Sequence, residues 1–487
     1  MAGSSYKWWA LSSTTLGAFL SVLNGTTLIV ALPDIMRLLH ASFAEVVWIL
    51  MAYQLVITIL VPSVGRVADM VGRKRLYVGG FALFTVGALL AGFSRTPLEL
   101  ILLRVFQAVG GSLMLANSTA IVADAFPKRE LGRALGINSM VIAVGSIVGP
   151  ILGGALTRFG WQWVIWFNVP LGIVGTVWAW VQLREVVRLP EHQRFDLRGT
   201  LAFTLGLLLM LVVLTLAPGG HWLEPANLGM MAAAVALLAL FVLWESRTAQ
   251  PMLDLSLFRS RLLSAAYAST WLNGIARGSI TFLLVFYFQG VRGYDPVTAG
   301  VLLAPFAIAM LVLSPISGWL SDRYGSRELA SLGLVITGVG LMGLARTGVR
   351  TPIATLAAWM AVAGAGSGLF NSPNTNAIMG AVAPERRGIA GGTRTMANNL
   401  GMMMSIAISL DVMSGTMSPR ALAGLFAGAS GPAGIAVADF VRGVDGVFRV
   451  SFLISIVGAV LSLLRGPAPG RGGTGLPRPG AETGGRR

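Results

Sequence analysis

The chain reads as an all-α integral membrane protein with about fourteen transmembrane helices, and three observations predict this. Hydrophobic residues make up 55% of its 487 positions and charged residues only 11%, with a mean hydropathy of +0.75, far from the balance of a soluble domain. The apolar residues fall into blocks of roughly 18 to 25, about the length of helix that crosses ~30 Å of hydrocarbon, and do not alternate as barrel strands do. Arginine and lysine gather in every second gap between those blocks, as in a polytopic protein.

The first block, 8–32, follows a single Lys7; it is too long for a signal core and has no small-residue cleavage site, so it reads as an uncleaved span. Spans at 45–65, 76–94, 98–123, 133–157 and 163–183 complete a first group of six, 1–183. A polar linker, 184–198, then separates this group from two spans at 199–217 and 227–245, within a segment 199–262. Six more follow at 263–289, 297–320, 328–346, 352–377, 387–411 and 444–464, forming a second group over 263–464. The Gly-, Pro- and Arg-rich stretch 465–487 cannot bury a core and reads as a disordered basic tail.

Arg66, Arg73, Lys74, Arg75, Lys128, Arg129, Arg184, Arg247, Arg323 and Arg327 all fall on one side, which the positive-inside rule makes cytoplasmic; an even span count puts both termini there too. This placement explains the net charge of +16 better than nucleic-acid binding, because no basic stripe forms on a folded domain. An internal repeat divides the chain in two: Pro62, Gly65, Asp69 and Gly72 recur with identical spacing as Pro315, Gly318, Asp322 and Gly325. Two homologous six-helix halves follow, with the pair near 199–245 inserted between them.

The stretch from Gly65 through Asp69 and Gly72 to Arg75 resembles the loop signature G-x-x-x-D-x-x-G-R-R/K of the major facilitator superfamily, and Gly318 to Arg327 is similar to its second-half copy. Arg104 with Gln107 and Gly110, the run Gly145, Gly149, Pro150, Gly153 and Gly154, the segment Trp161 to Pro170, and Ala31-Leu32-Pro33 resemble further motifs of its fourteen-helix drug:proton antiporter branch. The resemblance implies a major facilitator fold, two six-helix bundles related by a pseudo-two-fold axis plus two inserted helices. It also implies export of amphiphilic drugs, antibiotics or related metabolites across the inner membrane by alternating access, energised by protons. Asp69, facing a neighbouring helix N-terminus or pairing with Arg73, and Asp322 with Arg323 or Arg327, are expected to latch one conformation.

Physical reasoning adds candidates of its own. Arg104, deep in an apolar helix, costs ~2.5–3.5 kcal/mol on insertion scales and must face a cavity or a partner. Arg277, mid-span, follows the same argument. Asn24, Asp34, Tyr53, Gln54, Gln107, Asn138, Asn273 and Asn371 complete the expected substrate and proton pathway, although a lone Asn in a span more often serves packing. Gly145, Gly149 and Gly153 allow close helix approach, and Pro150 bends the fifth span.

One position departs from the branch pattern. Eight residues before the Ala-Leu-Pro, where the branch carries an aspartate, this chain has Asn24, which cannot titrate. The change is either natural or an engineered mimic of the protonated state. It leaves open an exporter of lipid-like or anionic metabolites with altered or absent proton coupling, and a non-transporting sensor. With Arg104 and Arg277 as buried charges, neutral or anionic amphiphiles are expected to be handled better than dications.

Cysteine is absent and His40, His192 and His221 are scattered, so no disulfide or metal cluster is expected. No phosphate loop or nucleophile–base constellation is legible, which argues against an enzyme or an ATP-driven pump. No cofactor is expected beyond the proton gradient as energy source; the expected partners are an amphiphilic small molecule, protons and the bilayer, around a monomer.

Overall fold

The computed structural model describes residues 6–185, 196–216, 221–248, 253, 255–382, 387–418 and 433–466; most of the predicted linker and nearly all of the predicted tail lie outside the described residues. Helices follow one another without a strand among the described residues: α1 Tyr6–Leu38, α2 Phe43–Val71, α3 Arg73–Ala91, α4 Pro97–Ala125, α5 Lys128–Thr157, α6 Trp161–Trp166, α7 Asn168–Gln182, α8 Leu197–Leu216 and α9 Pro225–Glu245. Then come α10 Arg261–Phe286, α11 Pro296–Leu302, α12 Ala304–Tyr324, α13 Ser326–Ala345, α14 Ile353–Gly380, α15 Arg387–Ser414 and α16 Ala433–Leu463. Because α6 with α7, and α11 with α12, each make one composite span, the helices cross fourteen times. Both ends of the described chain therefore emerge on one side, here the termini face; the opposite side is the loop face.

Eleven of these spans are long and apolar enough to cross a membrane by composition alone. The other three are α5, whose apolar part is confined to Val144–Thr157, α8, apolar over Arg198–Leu214, and α15, whose first turns carry Arg387, Arg394, Asn398 and Asn399. Side chains such as Val177, Trp180, Val235, Leu243 and Val457 stay exposed on the bundle exterior, as hydrocarbon solvent allows.

Local chemistry sets the helix starts. Ser42 and Glu45 form a reciprocal capping box at α2, Thr96 and Glu99 another at α4, and Asp295 caps α11 ahead of Pro296. The repeat glycines make the tight turns, with φ of 113° at Gly72 and 95° at Gly325, a region that any residue with a Cβ enters only with strain.

The packing repeats as the sequence does. α1 lies on α5 as α10 lies on α15; α2 and α3 pack on α4 as α12 and α13 pack on α14. The offset that relates Pro62 to Pro315 also relates Gly80 to Gly333, and each of these glycines lets α3 or α13 close onto its neighbour's backbone. The inserted pair does not lie between the halves in space. α8 packs on α2 and α15, flanking one seam between the halves, and α9 packs on α8.

Those halves meet along the seams α5–α11 and α2–α15. One large apolar cluster runs through the loop-face ends of both halves, from Leu28, Val47 and Leu50 to Phe286, Met413 and Phe448. On the termini side the core splits among the described residues: Tyr77, Phe81 and Ile121 cluster within the first half, Leu262, Tyr267 and Ile378 within the second. The molecule is thus sealed on its loop face.

Candidate functional site

The centre of the first half is a buried polar knot. Arg104 of α4 is 1% exposed, and its Nη1 donates to Asn24 Oδ1 at 2.8 Å and to Gln107 Oε1 at 2.9 Å. Its guanidinium lies 4.3 Å from the Tyr53 ring centroid, and Gln107 Nε2 also donates to Asn24 Oδ1 at 3.3 Å. Hydrogen bonds to a charged group contribute ~1.5–3 kcal/mol each and a desolvated cation–π contact about 2, enough to offset an arginine's ~2.5–3.5 kcal/mol insertion cost without any carboxylate. The Asn24 Nδ2 and the Tyr53 hydroxyl are buried in this knot without a well-formed hydrogen bond, and Asn24 and Ser21 are the polar side chains beside that hydroxyl.

In the second half, Arg277 of α10 donates from Nη2 to Asn398 Oδ1 at 3.0 Å and approaches Met402 Sδ at 3.9 Å. Asn273, one turn below it and fully buried, has neither amide atom bonded. Of the other expected residues, Asp34 sits on the loop face in an ion pair with Arg37 at 3.1 Å, apart from the knot. Gln54 and Asn371 are half-buried, each accepting a threonine hydroxyl through its backbone carbonyl. The side chain of Asn138 lies outside the described residues.

The glycine run of α5 works by proximity. A Cβ at Gly149 would meet Thr26 Oγ1 at 1.9 Å, and one at Gly153 would meet Thr27 O at 2.3 Å, so α1 and α5 nearly touch; Gly145 faces Phe19 more loosely, at 3.2 Å. Gly154 turns to the other half, where its Cβ would meet Pro296 O at 2.3 Å, and Gly300 returns the contact against Pro150 O at 2.3 Å. Beside this seam Gln289 Nε2 donates to Val30 O at 3.1 Å, and Arg158 pairs with Asp295 at 3.9 Å. Pro150 thus lies on the seam as well as inside α5.

On the termini face, the side-chain surroundings of Gly65, Asp69 and Asp322 lie outside the described residues. Arg73 bonds Asp124 at 2.6 Å, while Glu185 accepts from the backbone amides of Arg73 and Lys74 at 2.8 and 3.2 Å, holding the first turn of α3. Arg323 covers the Trp319 ring at 4.5 Å. Reading the sequence missed Glu185, Gly300, Arg394 and Asn398. The run of polar residues from Arg394 to Asn399 inside an otherwise apolar block was a usable signal for the last two; Glu185 had none, because its partners are backbone amides more than a hundred residues away.

Comparison with known proteins adds ancestry. The family profile described as Major Facilitator Superfamily matches residues 14–405 and 266–479. The chain is 31% identical to the riboflavin transporter RibZ of Clostridioides difficile (strain 630), over 82% of this chain and 87% of that one. It is 30% identical to the tetracenomycin C resistance and export protein of Streptomyces glaucescens, over 82% and 75%. In fold it is similar to the crystal structure of a bacterial homologue of the human lysosomal transporter Spinster in an inward-facing, occupied conformation, with a TM-score of 0.67 at 16% identity, over 95% of this chain and 97% of that one.

Proposed function

The chain belongs to the major facilitator superfamily and is a multi-pass membrane transporter, and from that premise we propose that it exports amphiphilic small molecules, drugs or antibiotics among them, by alternating access coupled to proton entry. The observation that carries this reading is the divided core: among the described residues one apolar cluster joins the halves on the loop face, and separate clusters serve each half on the termini face. A transporter working by rocking two bundles needs two such faces that exchange contact. Relatives named for resistance and export support the outward direction.

In this reading the arginine-rich termini face is cytoplasmic in the cell's inner membrane, the state described is inward-open, and the monomer is the working unit. The latch formed by Asp69 and Arg73, echoed at Asp322 and Arg323, opens and closes that face. Asn24, Tyr53, Arg104 and Gln107 lie on the substrate route. Position 24 stays outside the proton path, since a carboxamide accepts a hydrogen bond but carries no proton at neutral pH.

Uptake of ethidium into everted vesicles under an imposed pH gradient tests the proposal, with Asn24→Asp compared alongside. Uptake by both forms that an uncoupler collapses supports antiport through another site. Uptake only by Asn24→Asp would assign the proton path to position 24, and uncoupler-insensitive uptake by both would remove protons from the mechanism. A second reading, export of anionic metabolites with altered coupling, is favoured by the absence of any carboxylate bonded to Arg104 or Arg277 among the described residues.

A further inference from the structure

The face of α10 toward α15 holds more unsatisfied positive charge than packing needs. The two helices run close because Gly274, Gly278 and Gly401 bring their backbones together; a Cβ at Gly401 would meet Trp271 O at 2.3 Å. Into this interface project Arg277 from α10 and, one helical turn apart on α15, Arg394 and Asn398. Arg394 sits one helical turn before Asn398, the residue that Arg277 bonds, so both guanidinium groups belong to the same helix interface. Among the described residues neither one forms an ion pair with a carboxylate.

Their hydrogen-bonding is as incomplete as their charge balance. The Nε–H groups of Arg277 and Arg394 are both buried without an acceptor, and in Asn273 the buried Nδ2 lacks an acceptor and the buried Oδ1 a donor. Arg277 has one good acceptor, Asn398 Oδ1, and a weak one in a thioether. By contrast, Arg104 in the first half has two side-chain amide oxygens and an aromatic face. The offset relating Pro62 to Pro315 also relates Asn24 to Arg277, so the second half places a cation where the first half has a neutral amide.

Two guanidinium groups on one helix interface, each with a buried Nε–H that lacks an acceptor, are stabilised by a group that supplies negative oxygens. Guanidinium forks match planar or tetrahedral oxyanions through paired N–H donors. We infer that Arg277, Arg394, Asn273 and Asn398 form an anion subsite that takes the carboxylate, sulfonate or phosphate group of an amphiphile. Met402 is placed to meet its apolar part. The inference rests on the transporter reading only in treating this face as open to the substrate route; Arg277, Arg394 and Asn398 are all partly exposed.

The test compares two probes that share one ring system and differ in charge: dansyl sulfonate, an anion at neutral pH, and dansylamide, which is neutral. Both are titrated by fluorescence against the purified full-length protein in phosphatidylcholine nanodiscs. The wild type is expected to bind the sulfonate about tenfold tighter than the amide, or ~1.4 kcal/mol. Arg277→Gln and Arg394→Gln should each erase that preference while keeping the gel-filtration profile of the wild type. Replacing part of the phosphatidylcholine with phosphatidylglycerol separates the two sources of such an anion. Competition with the sulfonate makes a lipid headgroup an occupant of the subsite, and its absence reserves the subsite for soluble amphiphiles. Equal binding of the two probes by the wild type, no sulfonate binding, or a preference that survives both substitutions overturns the subsite. Ethidium uptake in everted vesicles keeps the two ideas apart: its absence in the wild type with the sulfonate preference intact defeats the transport reading and leaves the subsite standing.

Discussion

Replacing Gly154 by alanine should open the loop face without unfolding either half. The added Cβ would lie 2.3 Å from Pro296 O, 2.7 Å from Pro296 C and 2.7 Å from Val297 Cα, all backbone atoms of the other half. Ordinary contact needs about 3.4 Å or more, so the seam must separate by roughly 1 Å, and backbone cannot step aside as a side-chain tip can. Overpacking of this kind costs ~1–3 kcal/mol. Because the contact exists only when the loop face is closed, the cost falls on that state alone and shifts the population about 5- to 150-fold toward opening. The chain has no cysteine, so a single Val47→Cys reporter, at a position buried in the joint cluster, can be followed without background. Labelling by a membrane-impermeant maleimide should accelerate by that factor in Gly154→Ala. Gly229→Ala, whose Cβ meets nothing within 4 Å, is the neutral control. Gly153→Ala collides with Thr27 inside one half, so it should lower Tm without a comparable rise in labelling. Unchanged labelling in Gly154→Ala, or an equal rise in Gly229→Ala, would refute the seam argument.

Tyr53→Phe removes a hydroxyl that makes no well-formed hydrogen bond, so stability in detergent should stay within ~0.5 kcal/mol of wild type, whereas Tyr53→Ala loses the ring under Arg104 and should cost ~3–5 kcal/mol by thermal unfolding. Glu185→Gln should weaken the start of α3 by ~1 kcal/mol, and Arg73→Ala should add to that by breaking the pair with Asp124; a double-mutant cycle on Tm reads both. At Asp295 the Thr298 hydroxyl, then the Thr298 and Val297 amides and Arg158, hold the carboxyl below the usual carboxylate range. A depressed folded value means that its contribution is present above the unfolded value near ~4 and is lost as pH falls through the folded value. Loop-face closure, read by the Val47→Cys reporter, should therefore loosen below about pH 4 in the wild type, and Asp295→Asn should remove that dependence.

Much of the architecture was legible because the bilayer makes it so. A helix that crosses hydrocarbon must be long and apolar wherever it lies, and its flanking charges must stay in water, so spans, halves and the repeat at Pro62 and Pro315 can be read locally. The three spans that composition marks less clearly, α5, α8 and α15, are those where short apolar runs or polar residues break the pattern. Two of them, α8 and α15, meet beside the seam that the inserted pair flanks, and this position could not be read from their place in the chain.

The site was legible residue by residue but not as a set. Arg104 was conspicuous because an arginine in an apolar helix demands a partner, yet nothing in the chain named Asn24, Gln107 and Tyr53 as that partner rather than Asp34, which stays on the loop face with Arg37. By itself the sequence determined that this is a fourteen-helix membrane protein with an internal two-half repeat and arginines inside apolar helices, and its motifs carried the resemblance to a transporter family. Only the tertiary structure decided that Gly154 and Gly300 seal the loop face, that Glu185 starts α3, and that Arg277 and Arg394 share one unsatisfied interface. The reason is that burial in a membrane is a property of each segment, whereas who meets whom depends on how helices far apart in the chain pack, and close backbone approach is specified jointly by both partners.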